Sequence, residues 1–208
     1  MYFLFFKNQR ARERNPVPGT SSLCLALLSS GPVFPAVHTG ELLPYARGSL
    51  KGEMKNEQWV MEDGSRWEVI VTGVGAINVM HALRDIPHDA ELINIGYAGS
   101  ANYEIGSAVK VTEARLNHPC VNYPEPKLLL STLPDNYLKH SEACIESVCY
   151  SNTDFVLQSD YTDCVFDMEL AYIAAQGFEH LYALKIVSDN LSLHTYREVA
   201  AGVERREE

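Results

Sequence analysis

Two apolar segments in the middle of the chain each lead into a turn of small residues. Residues 68–72 have the continuous apolar character of a buried strand and lead into glycines at 73 and 75, and residues 91–97 lead into a second small-residue loop at 98–100. Between them, apolar side chains recur at helical spacing from Ile77 to Leu83. The order strand, helix, strand predicts a βαβ unit, which implies a parallel pair of strands with a right-handed crossover.

The rest of the chain predicts further strands and two more helices. Strand-length segments lie at residues 23–28, 58–61, 67–72, 108–114, 142–150, 163–166 and 181–187. The Asp63-Gly64 pair predicts a hairpin turn between the second and third of these. Helical periodicity predicts one helix from Met168 to a glycine cap at Gly177, and a charged helix at residues 193–207. This mixture is typical of an α/β fold with a mixed sheet.

Two carboxylates, Glu169 and Asp189, stand at the ends of predicted elements. Asp189 follows the apolar run 181–187 and is expected at the end of a strand, whereas Glu169 is expected in the first turn of a helix, where the helix dipole favours an anion. Ligands of open α/β sheets bind beyond the carboxyl ends of the strands, so both acids could face one ligand. Alternatively, Glu169 only occupies the start of a helix and Asp189 only caps a turn, because Asp and Glu are common at such positions.

Composition restricts the classes of function. The 208 residues are 46% hydrophobic and 21% charged, which predicts one folded domain; we assign it to residues 22–208, with residues 1–21 as an N-terminal extension. The net charge of −10 and the lack of a basic stripe argue against a nucleic-acid partner. The apolar start at residues 1–6 is too short to span a membrane, so no membrane partner is expected.

Cysteine and histidine usage predicts neither a disulfide framework nor a metal site. The five cysteines are odd in number and form no paired motif, which favours a reducing compartment and predicts a cytoplasmic protein. His118 and Cys120 lack companions at ligand spacing. We therefore predict no metal and no other cofactor.

Five short motifs follow one another along the chain. They are VTGVGA at residues 71–76, NIGYAG at 94–99, NTDF at 152–155, DME at 167–169 and SD at 188–189. In this order they resemble the nucleoside phosphorylase and nucleosidase superfamily, and within it the 5′-methylthioadenosine/S-adenosylhomocysteine nucleosidases. The resemblance covers residues 66–200. It implies a three-layer α/β sandwich with a mixed central sheet, a small nucleoside as ligand, and a homodimer or higher homo-oligomer.

The resemblance also implies a role for each candidate site residue. Asp189 would be the general acid that donates or shares a proton at purine N7, which requires a carboxyl that desolvation keeps protonated near neutral pH. Glu169 would accept hydrogen bonds from the ribose hydroxyls. The other predicted substrate-binding residues are Met168 on the sugar face, Phe155 on the base, Gly75, Ala98 and Gly99 in a small-residue floor, and Ser188. Ordinary core packing is the alternative for Phe155.

The sequence departs from this family at the water site. Family nucleosidases carry a water-activating glutamate just after the first strand, but residues 29–35 contain no acid and the next one is Glu41. Lys185 replaces an arginine that supports this glutamate, Asn94 stands where purine phosphorylases tend to have an arginine, and Tyr97 stands where a small polar residue is usual. We predict a hydrolase that cleaves the N-glycosidic bond of a purine nucleoside. A phosphate-dependent phosphorylase and a non-catalytic nucleoside binder are the alternatives.

Overall fold

The computed structural model of the protein describes residues 2–7, 50–51, 53–55, 58–117, 127–139 and 141–196. Ten strands lie in these ranges: β1 (Tyr2–Lys7), β2 (Glu53–Lys55), β3 (Gln58–Val60), β4 (Arg66–Val71), β5 (Glu91–Gly99), β6 (Ala108–Leu116), β7 (Leu128–Leu129), β8 (Ile145–Ser151), β9 (Cys164–Asp167) and β10 (His180–Asp189). Two α-helices, α1 (Ala76–Leu83) and α2 (Leu170–Ala174), accompany them, with 3-10 turns at Asp135–Tyr137 and Ser141–Ala143. Residues 193–196 are helical, as predicted for the start of the C-terminal helix, whereas the rest of that helix, the predicted strand 23–28 and the loop 29–35 lie outside the described residues.

The hairpin predicted around Asp63-Gly64 forms between β3 and β4. Asp63 Oδ1 accepts a hydrogen bond from the Ser65 backbone N–H at 2.8 Å, and Gly64 has a φ of +79°, a left-handed conformation that glycine adopts without strain. Trp59 and Trp67 face each other across the two strands and are fully buried. Turn chemistry and the apolar cross-strand pair therefore stabilise the same register.

Five strands of the mixed sheet close into a ring. β10 runs parallel to β5 and antiparallel to β6, β8 runs parallel to both β6 and β9, and β9 returns to β5 through the pair Phe166 and Gly99. This agrees with the predicted α/β class and mixed central sheet. The three-layer arrangement stays a prediction.

The βαβ prediction is wrong about strand pairing. β4 and β5 run in the same direction, but β1 lies between them and is antiparallel to both, with Leu4 opposite Ile70 on one side and Asn94 on the other. The predicted N-terminal extension therefore contributes residues 2–7 to the sheet. An inserted strand satisfies the backbone N–H and C=O groups of both neighbours, which local periodicity could not reveal.

The strand β5 is buried on both of its faces and carries the centre of the molecule. Ile93, Ile95 and Tyr97 belong to one apolar cluster, with Trp59 and Trp67 of the hairpin. Leu92 and Ala98 belong to another cluster, which also contains buried residues of α1 and α2. A strand enclosed in this way holds the residue at its carboxyl end, Gly99, in a fixed position.

The helix α2 is shorter than predicted. It begins at Leu170 and ends at Ala174, and Gly177 follows with a φ of +77°. Glu169 is the N-cap residue, with non-helical φ and ψ of −138° and −39°, and so does not lie in the first turn. Its backbone leaves the helical conformation because Met168 and Glu169 form the corner between β9 and α2.

Candidate active site

A cleft of about 160 Å³ opens where β5, β9 and β10 end. Six of the eight predicted site residues line it: Ala98, Gly99, Phe155, Met168, Ser188 and Asp189. The other two, Gly75 and Glu169, lie behind the lining and bind each other. Sequence motifs 94–99, 152–155, 167–169 and 188–189 thus converge on one place in the fold.

Asp189 is the last residue of β10 and is 1% exposed. Its Oδ2 accepts a hydrogen bond from Ser188 Oγ at 2.8 Å, and its Oδ1 accepts one from the Leu191 backbone N–H at 3.0 Å. Burial raises the pKa of Asp189 above its usual value, although the hydrogen bonds from Ser188 and from the backbone N–H groups of Leu191 and Ser192 oppose the shift. The carboxyl therefore holds a proton at higher pH than an exposed aspartate does.

Gly99 allows Asp189 to approach the end of β5. A Cβ atom at this position would lie 2.7 Å from Asp189 Oδ1 and 3.1 Å from Leu191 Cδ2. Gly99 does not have a positive φ, so glycine is needed here for space and not for backbone conformation.

Glu169 is fully buried and is held by backbone N–H groups. Its Oε1 accepts from the Gly75 N–H at 2.5 Å, and its Oε2 accepts from the Met168 N–H at 3.1 Å. Gly75 has a φ of +90°, which orients the turn before α1 and favours glycine. Val74 and Met168, the neighbours of this pair, both line the cleft. Glu169 is therefore directly behind the cleft wall, and a sugar hydroxyl would have to share or replace the Gly75 hydrogen bond.

Aromatic side chains form another part of the lining. The rings of Phe155 and Tyr196 meet edge to face with centroids 5.7 Å apart, and Phe166 also lines the cleft. Phe155 is only half-buried and is therefore not a core residue. Farther along the same loop, Tyr161 stacks on Tyr150 with centroids 4.7 Å apart and planes inclined by 6°. This stack fastens the loop that carries Phe155 to strand β8.

Sequence reasoning gave no site role to several lining residues, among them Asp167 and Tyr196. Asp167 belongs to the DME motif, and Tyr196 to the apolar face predicted for the C-terminal helix. The sequence therefore indicated where each residue lies but not that it lines a site. Burial raises the pKa of Tyr196, and the nearby charges of Asp189 and Glu169 act in the same direction. Its hydroxyl therefore stays protonated and can act as a hydrogen-bond donor.

Asp167 takes part in a buried network directly under the lining. Lys185 Nζ lies 2.7 Å from Asp167 Oδ2 and donates to Asn94 Oδ1, also at 2.7 Å. Burial acts to lower the pKa of Lys185, but the negative charges of Asp167 and Glu169 act against it, and the pKa lies above its usual value. Lys185 is therefore a cation at neutral pH although it is fully buried.

The described residues contain no cluster of three or more His, Cys, Asp or Glu side chains that could hold a metal ion. No described helix has the length and hydropathy of a membrane span.

Solved structures of nucleosidases share this fold. No protein-family model matches the chain, and no curated protein sequence is significantly similar to it. The 5′-methylthioadenosine/S-adenosylhomocysteine nucleosidase of Chlamydia trachomatis matches with a TM-score of 0.53 and 16% identity, over 81% of this chain and 84% of that one. The enzyme of Colwellia psychrerythraea, in complex with adenine, matches with a TM-score of 0.53 and 18% identity, over 74% and 81%.

A third structure extends the comparison. The enzyme of Neisseria meningitidis, in complex with methylthio-immucillin-A, matches with a TM-score of 0.52 and 19% identity, over 74% of this chain and 85% of that one. These structures show that the chain shares the fold of 5′-methylthioadenosine/S-adenosylhomocysteine nucleosidases.

Proposed function

We propose that this protein is a purine nucleosidase, a hydrolase that cleaves the N-glycosidic bond of a methylthioadenosine-like or otherwise 5′-substituted nucleoside to base and ribose derivative. The observation that carries the proposal is the buried Asp189, whose raised pKa suits a general acid and which lines a cleft together with Ser188, Phe155 and Met168. The nucleosidase fold supports the same reaction class.

In the proposed mechanism, Asp189 makes the purine a better leaving group. It donates its proton to N7, so that the base departs neutral and the carboxylate is left to accept hydrogen bonds from Ser188 Oγ and the Leu191 N–H. These two donors stabilise the ionised product form of the acid. Phe155 supplies an aromatic wall for the base, and Ala98 and Gly99 leave room for it.

Glu169 would act on the sugar. Positive charge develops at C1′ as the glycosidic bond breaks, and an ionised carboxylate that accepts from a ribose hydroxyl stabilises this charge. Two backbone donors, the N–H groups of Gly75 and Met168, already bind the Glu169 carboxylate and favour its ionised form. Met168 would pack on the sugar face. The water-activating group is not assigned, since residues 29–35 contain no acid.

We further propose a homodimer in which the exposed face of α1 is the contact between subunits. Ile77 is 80% exposed, Met80 50% and Val74 46%. Isolated exposed apolar residues are common, but these three recur at every third position through the start of α1, where a second subunit could cover them. The three-layer arrangement and the cytoplasmic location remain predictions.

The first test is the release of free base from purine nucleosides, including 5′-methylthioadenosine and longer 5′-substituted nucleosides, with and without phosphate. Release without phosphate is expected. The Asp189→Asn variant should abolish it, whereas Asp160→Asn, at an exposed loop aspartate outside the cleft lining, should not. An Asp189→Asn variant with undiminished turnover would remove Asp189 from the mechanism.

One observation favours a second candidate, a nucleoside-binding protein without turnover. The acid-free segment 29–35 stands where family nucleosidases have their water-activating glutamate. In that case a nucleoside would raise the melting temperature of the protein without release of base. Release only in the presence of phosphate would instead indicate a phosphorylase.

A further inference from the structure

The Lys185–Asp167 ion pair connects the strands of the ring with the start of α2. Both side chains are fully excluded from solvent. Lys185 comes from β10, Asn94 from β5 and Asp167 from β9, so the ammonium group joins three strands that end at the cleft. Lys185 is fully buried and does not line the cleft, so its ammonium group would not touch the reacting atoms.

The acidic end of the pair fixes the corner that contains Met168 and Glu169. Asp167 Oδ2 also accepts from the Leu170 backbone N–H at 2.9 Å, and its Oδ1 accepts from Ser151 Oγ at 2.5 Å. Ser151 Oγ in turn accepts from the Ala171 N–H at 2.8 Å. Residues on both sides of Met168 and Glu169 are therefore tied to one carboxylate.

A buried ion pair does not need to stabilise a fold, because apolar residues of similar volume can replace it at little or no loss of stability. Such a pair does fix the geometry of the groups bound to it, since each remaining lone pair and proton must find a partner. Here those partners are the Leu170 N–H, directly after the Met168–Glu169 corner, together with Asn94 of β5 and Ser151 of β8.

We propose that Lys185 and Asp167 are positioning residues that set the sugar-side wall of the cleft, formed by Met168 and Glu169, and so make binding selective for a ribosylated purine over the free base. This inference rests on the proposed function, because it takes the cleft as a nucleoside site. Base contacts, in contrast, are made by Asp189 and Phe155, which the ion pair does not touch.

The test compares binding of two probes, adenine and 5′-methylthioadenosine, by calorimetry in an Asp189→Asn background that prevents turnover. The Lys185→Met/Asp167→Asn double variant removes both charges of the ion pair and keeps side chains of similar shape, so neither partner of the pair is left charged without the other. Lys110→Met is the matched control, since Lys110 is a buried lysine on the neighbouring strand β6, paired with Asp135 at 2.5 Å and outside the cleft lining.

The double variant is expected to bind 5′-methylthioadenosine at least tenfold more weakly than its parent and to bind adenine within twofold of it. Lys110→Met should change neither affinity. Ser151→Ala removes a hydrogen bond to the same carboxylate, that of Asp167. It should also weaken the binding of 5′-methylthioadenosine more than that of adenine, by a smaller factor than the double variant. It therefore serves as the test if the double variant does not fold.

An equal loss of affinity for both ligands, or no loss of affinity for either, would overturn the positioning role while the proposed function stands. A protein with its native Asp189 that binds neither probe and releases no base would overturn the proposed function itself, and the inference with it.

Discussion

Gly99→Ala tests whether the placement of Asp189 depends on the missing side chain at the end of β5. The added Cβ would lie 2.7 Å from Asp189 Oδ1, and ordinary contact begins at 3.4 Å, so the carboxylate has to retreat by about 0.7 Å. The backbone is not an obstacle, because Gly99 has no positive φ. The substitution therefore displaces the proposed acid without changing its chemistry.

The expected effect on rate follows from this displacement. Misplacing a reacting group by about 1 Å can cost on the order of 100-fold in rate. A general acid contributes about 10²- to 10⁴-fold in total. We therefore expect kcat for base release to fall by about 100-fold in Gly99→Ala, a smaller loss than the one expected for Asp189→Asn. Overpacking should also lower the free energy of unfolding by about 1–3 kcal/mol.

The assay is steady-state release of adenine from 5′-methylthioadenosine, with urea unfolding of each variant measured in parallel. The same substitution in a Leu191→Ala background is the control, because it removes the second close contact, at 3.1 Å, and leaves the contact with Asp189. Activity should stay low in that background while stability partly recovers. A Gly99→Ala variant with kcat within threefold of the parent would refute the reasoning.

Two further predictions concern pH and the buried network. Because burial raises the folded-state pKa of Asp189 above the ordinary 3.8, the folded state binds this proton more tightly than the unfolded state, and stability falls as pH rises from 3.8 through the folded pKa. Asp189→Asn should therefore raise the melting temperature relative to the parent at pH 7 to 8, with a difference that shrinks towards pH 4; parallel melting curves across this range would contradict the shift. Over the same window, kcat/KM of the parent should decline as the acid loses its proton, and a rate that rises with pH would contradict the assigned role. Ser151→Ala removes the donor to Asp167 Oδ1 and leaves the Ala171 N–H without its acceptor, which should lower the free energy of unfolding by about 1–3 kcal/mol at an unchanged urea m-value. Ser159→Ala, in the loop outside the cleft lining, is its control.

Local signals predicted the parts of the site that local chemistry determines. An apolar run followed by turn formers placed Asp189 at the end of a strand, and the structure has β10 end at that residue. The Asp63-Gly64 turn was predicted for the same reason. The convergence of the motifs at one cleft came from the resemblance and not from periodicity.

Long-range partners could not be predicted in this way. The Glu169 carboxylate is held by a backbone N–H 94 residues earlier in the chain, and the buried Lys185 is paired with Asp167 and also donates to Asn94, 91 residues earlier. The position of β1 likewise depends on two strands more than 55 residues away in sequence. Each of these pairings is a property of the folded topology, which a pattern read over a few residues does not contain.

The position of β1 also affects partial unfolding of the protein. Among the described strands, the hairpin strands β2, β3 and β4 reach the five-stranded ring through β1. Besides the side-chain contacts of Trp59 and Trp67 with β5, β1 is therefore the backbone connection between these described strands and the ring. Partial opening that releases β1 would expose the free edges of β4 and β5 together, and two such edges are templates for pairing with other chains. In the folded protein β1 thus keeps these two strand edges from pairing with other chains.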